Sequence, residues 1–116
     1  MGKKCVADIL NDLTNKKLSL CKEYRNYSTQ HKKALSDIDT LDVDLGRATS
    51  AEEKQAILAL REITIQKSGD MKRKINETKD ILEELQDQTI FLIRHYVDPS
   101  AAMAAGWFAT KLVFDD

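Results

Sequence analysis

The chain has 116 residues, 18 Lys plus Arg against 19 Asp plus Glu, four Gly, one Pro and two Cys. That length fits one domain, and so little Gly and Pro excludes the many short turns of a β-sandwich or barrel as well as a disordered or collagen-like chain. A net charge of −1 removes the usual starting point for a nucleic-acid-binding domain, which is a strong excess of base.

From Val6, alternating steps of four and three residues run through Leu10, Leu13, Lys17, Leu20, Tyr24, Tyr27, His31, Ala34, Ile38, Leu41 and Leu45. Only Lys17 and His31 interrupt this apolar seam, and the sustained 3.5-residue period is that of a coiled-coil helix, over about residues 4–45. The segment SDIDTLDVD, with four Asp and three β-branched residues of modest helix propensity, is where this helix is expected to fray or restart. Residues 46–50 read as a turn. Ser50-Ala-Glu-Glu53 is a capping box, in which the Ser hydroxyl accepts from the Glu53 amide and Glu53 reaches back.

The second helix is expected over about residues 51–97. Its seam runs Met71, Ile75, Thr78, Leu82, Leu85, Thr89, Leu92 and Tyr96, and less cleanly upstream through Thr64 and Leu60 to Ile57. Pro99 breaks it, since a residue before proline is pushed out of the helical region. Doubling back at the turn pairs positions of constant index sum: Leu41 with Ile57, Leu20 with Thr78, Leu13 with Leu85 and Val6 with Leu92 all sum to 98. The predicted fold is therefore all-α: a long antiparallel two-helix coiled-coil hairpin, one domain over residues 1–116. In that register Ala34 faces Thr64 and His31 faces Lys67 and Ser68, beside Gly69, so no large apolar side chain fills the middle. These residues set register or form a bend or notch.

After Pro99, a short apolar helix is expected over about residues 100–113, with Ser100 as its N-cap. It is too short to span a bilayer. Its receiver is the apolar run Ile90, Phe91, Leu92 and Ile93, with Ile9 and Leu13 at the same level, unless the segment crosses to another copy.

No motif for catalysis is present: neither a nucleophile elbow, a Gly-rich phosphate loop nor an H-E-x-x-H pair occurs, and a helical hairpin offers little concave volume. His31 and His95 lie far apart along the hairpin, so no catalytic residue is assigned and the chain is expected not to be an enzyme. Cys5 and Cys21 are 16 residues apart, roughly 24 Å along one helix at about 1.5 Å per residue, far beyond disulfide reach. Their spacing matches no zinc pattern, and Asp37, Asp39, Asp42 and Asp44 lack the glycine and terminal Glu of a calcium loop. No metal and no cofactor is expected. Neither a membrane-spanning stretch nor the apolar core of a signal peptide is read, so the expected setting is cytoplasmic and reducing. Met1-Gly2-Lys3-Lys4-Cys5-Val6 matches an N-myristoylation signal in part, departing from it at Val6 where Ser or Thr is usual.

What remains is interaction. The outer apolar residues Leu35, Leu58, Ile63, Ile65, Ile81 and Phe91 have no cover in a lone hairpin, which is the mark of a partner surface. The expected function is a non-enzymatic assembly protein that oligomerises or docks into a larger complex, with Met103, Trp107, Phe108, Leu112 and Phe91 as its contacts. The alternative is an anionic partner (nucleic acid, anionic lipid or acidic protein) held by a mid-hairpin basic collar of Lys32, Lys33, Lys72, Arg73 and Lys74, with nucleic acid and peripheral membrane contact ranked below a protein partner. The segment from Glu77 to Asp87, by contrast, is acidic, with five carboxylates against Lys79.

Overall fold

The computed structural model describes residues 5–107. Three helices follow in chain order: α1 is Val6–Arg47, α2 is Ala51–Tyr96 and α3 is Pro99–Ala104. There is no strand among the described residues, and α1 and α2 pack against each other as an antiparallel hairpin. Helix boundaries follow local chemistry. At the tip, the Glu53 amide donates to Ser50 Oγ at 3.1 Å and the Lys54 amide to the Ser50 carbonyl, so the capping box forms as read from the sequence. At the base, α2 ends before Asp98 and Pro99 takes the first position of α3, where its missing N–H costs nothing.

Three local expectations are corrected. The Asp-rich stretch does not fray: α1 is unbroken through Arg47. Its polar groups find local partners, with Asp37 accepting from Lys33 at 3.0 Å, Asp42 from Arg61 at 2.6 Å, and the Thr40 hydroxyl donating to the Ser36 carbonyl. The cap of α3 is Asp98, whose carboxylate accepts from the Ser100 amide, rather than Ser100 itself. The helix expected to run to 113 stops at Ala104 after six residues, because residues 105–107 form a turn; residues 108–113 lie outside the described ones.

The hairpin divides into two compact units. The first, described over residues 5–24 and 77–107, buries Leu10, Leu13, Tyr24, Leu82, Leu85, Ile93, Ala102 and Trp107, of which Leu10, Ile93, Ala102 and Trp107 form one cluster. The second, residues 25–76, buries Ala34, Ala48, Ser68, Met71 and Ile75. In it, Arg61 sits half-buried against Asp42 while Leu60, expected on the seam, is 52% exposed.

The register also differs from expectation. In the first unit Lys17 meets Gln86; in the second, Asp42 meets Arg61 and Tyr27 meets Lys74. These pairs sum to 103, 103 and 101, about one helical turn from 98. Part of the offset is geometric. Side chains lean toward the N-terminus of their own helix, and in an antiparallel pair these leans run in opposite directions, so side chains that touch carry index sums about two higher than the Cα level implies. The shifted register explains the burial pattern. Ser68, not Thr64, becomes the small residue at the level of Ala34, and at the base Ile93 replaces Leu92 as the fully inward residue while Tyr96 turns out to solvent.

Candidate functional site

The C-terminal turn of the first unit is built by backbone chemistry. Gly106 adopts φ +78°, a left-handed conformation that other residues take up only at a cost. Its amide donates to the Met103 carbonyl and the Trp107 amide to the Ala102 carbonyl, both at 3.1 Å. This is a Schellman closure, and its usual companion is an apolar contact between the residue after the glycine and the last turn of the helix. Here that contact is Trp107 with Ala102, and together they bury against Leu10 and Ile93, with Val6, Leu92 and Val97 at the edge. The indole Nε1 donates to Asn11 Oδ1 at 2.7 Å, which satisfies the one polar atom of a 7%-exposed ring.

Trp107 is therefore a core residue of its own chain, and the segment folds back in cis as far as it is described. Met103, by contrast, is 71% exposed and Phe91 is 55% exposed, so both are available as surface. Phe108 and Leu112, expected as contacts, lie outside the described residues, as does the partial acylation signal at residues 1–4. Sequence reading missed Gly106 and Asn11. The signal for the first was present, a lone Gly just after an apolar helical run, but nothing local marks Asn11.

The receiver matches expectation in part: Ile93 and Leu92 of the expected run take the segment, with Leu10 in place of Ile9 and Leu13. Successive residues on a helix lie about 100° apart, so Asn11 and Ile9 stand on opposite sides of Leu10, and Ile93 and Phe91 on opposite sides of Leu92. Trp107 takes the flank of Asn11 and Ile93. The opposite flank is an open groove of about 400 Å³ lined by Ile9, Leu13, Asp87, Gln88, Phe91 and Leu92. It adjoins a second open hollow of about 690 Å³, where Ile9 and Leu13 recur beside Asp12, Asn15, Lys16 and Ser19. The Phe91 ring lies 4.4 Å from the His95 ring in a tilted contact, one turn along the same helix.

Beneath this surface, Lys17 is wholly buried on the seam. Its ammonium donates to Gln86 Oε1 at 2.9 Å, a neutral partner. Desolvation lowers its pKa from the ordinary lysine value, with Cys21 acting weakly in the opposite sense. Near it the seam carries Thr89, also buried, which closes its hydroxyl on the Leu85 carbonyl within its own helix. The layer is polar but satisfied, as a register-setting layer should be. Cys5 and Cys21 are both free thiols.

The five collar residues all belong to the second unit and are all exposed. Three of them already have local partners: Lys33 pairs with Asp37, Arg73 with Asp70 at 3.7 Å, and Lys74 lies 5.6 Å above the Tyr27 ring. Exposed pairs of this kind contribute under about 1 kcal/mol, so they orient the cations without holding them tightly. His31 is half-buried on the seam, with no group of metal-ligating side chains around it among the described residues. No helix among the described residues is long and apolar enough to cross a membrane. Comparison with protein-family models, with curated proteins and with solved structures finds no match to this chain.

Proposed function

We propose that the chain is a non-enzymatic interaction protein that presents helical surfaces to another copy or to a protein partner. The observation that carries this reading is the distribution of apolar surface. Leu35, Leu58, Leu60, Ile63, Ile65, Ile81 and Phe91 on the two paired helices, and Met103 on α3, are all large, apolar and exposed. Apolar surface that is contiguous usually becomes an interface. A cytoplasmic, reducing setting goes with this reading, supported by the two free thiols.

The test is light scattering coupled to size-exclusion chromatography on the full chain across a concentration series. The expected result is a mass that rises above the 13.2 kDa of one chain, and that Met103→Glu or Ile63→Glu returns toward it. A constant single-chain mass at all concentrations overturns self-assembly and leaves a foreign protein as the partner. The second reading, an anionic partner at the collar, is favoured by the exposure of Lys32, Lys33, Lys72, Arg73 and Lys74 on one unit. Retention on an anionic resin should then fall steeply between low and physiological salt; no retention at low salt counts against it.

A further inference from the structure

Around the small buried layer of Ala34 and Ser68 in the second unit, the large apolar side chains Leu35 and Ile65 lie outside, 45% and 36% exposed. We infer that this unit pairs with the same unit of a second copy, antiparallel about a two-fold axis, through the flank that carries Leu35, Leu58 and Ile65. The inference rests on the interaction reading above and names its partner.

The pairing of the helices fixes the flank. A hollow of about 210 Å³ lined by Asp37, Thr40, Leu41, Leu60 and Thr64 marks one side, and there Asp37 and Leu60 each stand one residue before a seam position, Ile38 and Arg61. Leu35, Leu58 and Ile65 each stand one residue after a seam position, so a step of about 100° in the opposite sense carries them to the other side. Asp42 meeting Arg61 and Tyr27 meeting Lys74 set the level. Allowing for side-chain lean, residues whose numbers sum to about 100 lie side by side, which places Leu35 next to Ile65. Leu58 is two turns from Ile65 on the same side of α2 and is 49% exposed.

Charge selects a second copy as the occupant. Toward the tip, residues 37–53 carry six carboxylates against Arg47. Away from it, residues 25–33 carry Arg25, Lys32 and Lys33 with no carboxylate, and residues 67–74 carry four cations against Asp70. Leu35 and Ile65 sit where the sign changes. Beside them, Asp39 and Glu62 lie one turn toward the tip, while Lys32 lies one turn and Lys72 two turns away from it, all four exposed. None of these four makes an ion pair among the described residues, whereas Asp42 on the same flank is already held by Arg61.

A two-fold axis through the level of Leu35 and Ile65, perpendicular to the helices, lays the acidic end of each copy on the basic end of the other. Leu35 then meets Leu35, Asp39 of each copy meets Lys32 of the other, and the stem of Lys72 covers Leu58 while its ammonium comes up to Glu62. An axis along the helices instead sets Asp39 against Glu62, which share a level, so like charges oppose that arrangement. The patch is its own complement only when antiparallel, and two hairpins closed in this way form a four-helix bundle over the unit.

The test is light scattering coupled to size-exclusion chromatography on the full chain at low salt, across a concentration series. The mass should rise from 13.2 kDa to twice that value. Leu35→Glu and Ile65→Glu should each weaken the dimer about tenfold or more with helicity unchanged by circular dichroism. Charge exchange gives the second arm. Lys32→Glu and Asp39→Lys should each dimerise about tenfold or more weakly alone, because a two-fold contact repeats each repulsion. Their double variant, and an equimolar mixture of the two single variants, should regain the dimer, since both restore opposite charges at each contact. A constant 13.2 kDa mass overturns the inference and leaves the interaction reading to a foreign protein. A dimer indifferent to Leu35→Glu and Ile65→Glu overturns it, as does a failure of both the double variant and the mixture to recover. A dimer that dissolves with Met103→Glu or Ile63→Glu, but with neither of those two, removes this face and leaves the broader reading standing.

Discussion

Lys17 shows how one residue disciplines a seam. Its four-carbon stem fills the space a leucine would take, and its ammonium reaches Gln86 instead of water. Because burial lowers its folded pKa, the folded chain binds fewer protons than the unfolded chain between that lowered value and the ordinary lysine value. Stability contributed by this group therefore rises with pH across that window, and the cost of holding the charge is fully present below it. Lys17→Met keeps the volume and removes the charge, while half-buried Gln86 can turn to water. Urea unfolding at pH 7 should show a gain of about 1 to 3 kcal/mol, by analogy with buried charges replaced by apolar residues. The gain should shrink as pH is raised through the window. A loss of stability at pH 7 would mean that the polar layer holds the helices together rather than merely selecting their register. Lys17 was visible from the sequence as a break in the seam, but its partner was not, because that depends on which residue of α2 comes level with it.

At the scale of an element, two glycines invert one another. Gly69 lies inside α2 with an ordinary helical backbone, and a Cβ added there meets nothing within 4 Å. Gly69→Ala should stabilise by about 0.5 to 1 kcal/mol, the conformational cost of glycine in a helix. Gly106 also has free space around an added Cβ, but its φ of +78° closes α3. Gly106→Ala should destabilise by about 1 to 2 kcal/mol through the left-handed backbone alone, and should loosen the indole, read as a red shift of fluorescence from Trp107, the single tryptophan. Thermal melts of the two variants in parallel give opposite signs if the cause is backbone conformation and the same sign if it is packing. The soft, notched middle expected around Gly69 is not seen as a helix break, since α2 runs through it unbroken.

Across the whole molecule the two units differ in what they bury. The first has Leu10, Leu13, Leu82, Leu85, Ile93 and Trp107 in its core, whereas the second has only Met71 and Ile75 as large buried apolar side chains, with Ala34 and Ser68 at a small layer. Apolar burial is the main stabilising term, at about 25 cal/mol per Å², so local opening should be easier in the second unit. Hydrogen exchange should show amides of residues 57–67 exchanging at least tenfold faster than those of residues 82–93. Equal protection would mean that the hairpin opens only as a whole.

Helix, turn and cap were legible in the sequence because each is local. The 3.5-residue period fixes which face of α1 is buried, Ser50 with Glu53 starts α2, and Pro99 stops it. The exposure of Leu35, Leu58, Ile63, Ile65, Ile81 and Phe91 was legible for the same reason, as residues off the seam. Register and flank were decided only in three dimensions. A periodic seam pairs almost as well one turn out of step, and the difference arises from side-chain lean and from contacts between residues far apart in sequence, such as Asp42 with Arg61. Both flanks of the base offer apolar residues, Ile9 with Phe91 on one and Leu10 with Ile93 at the other. The left-handed turn at Gly106 and the indole bond to Asn11 commit Trp107 to the second, and by doing so leave the first open.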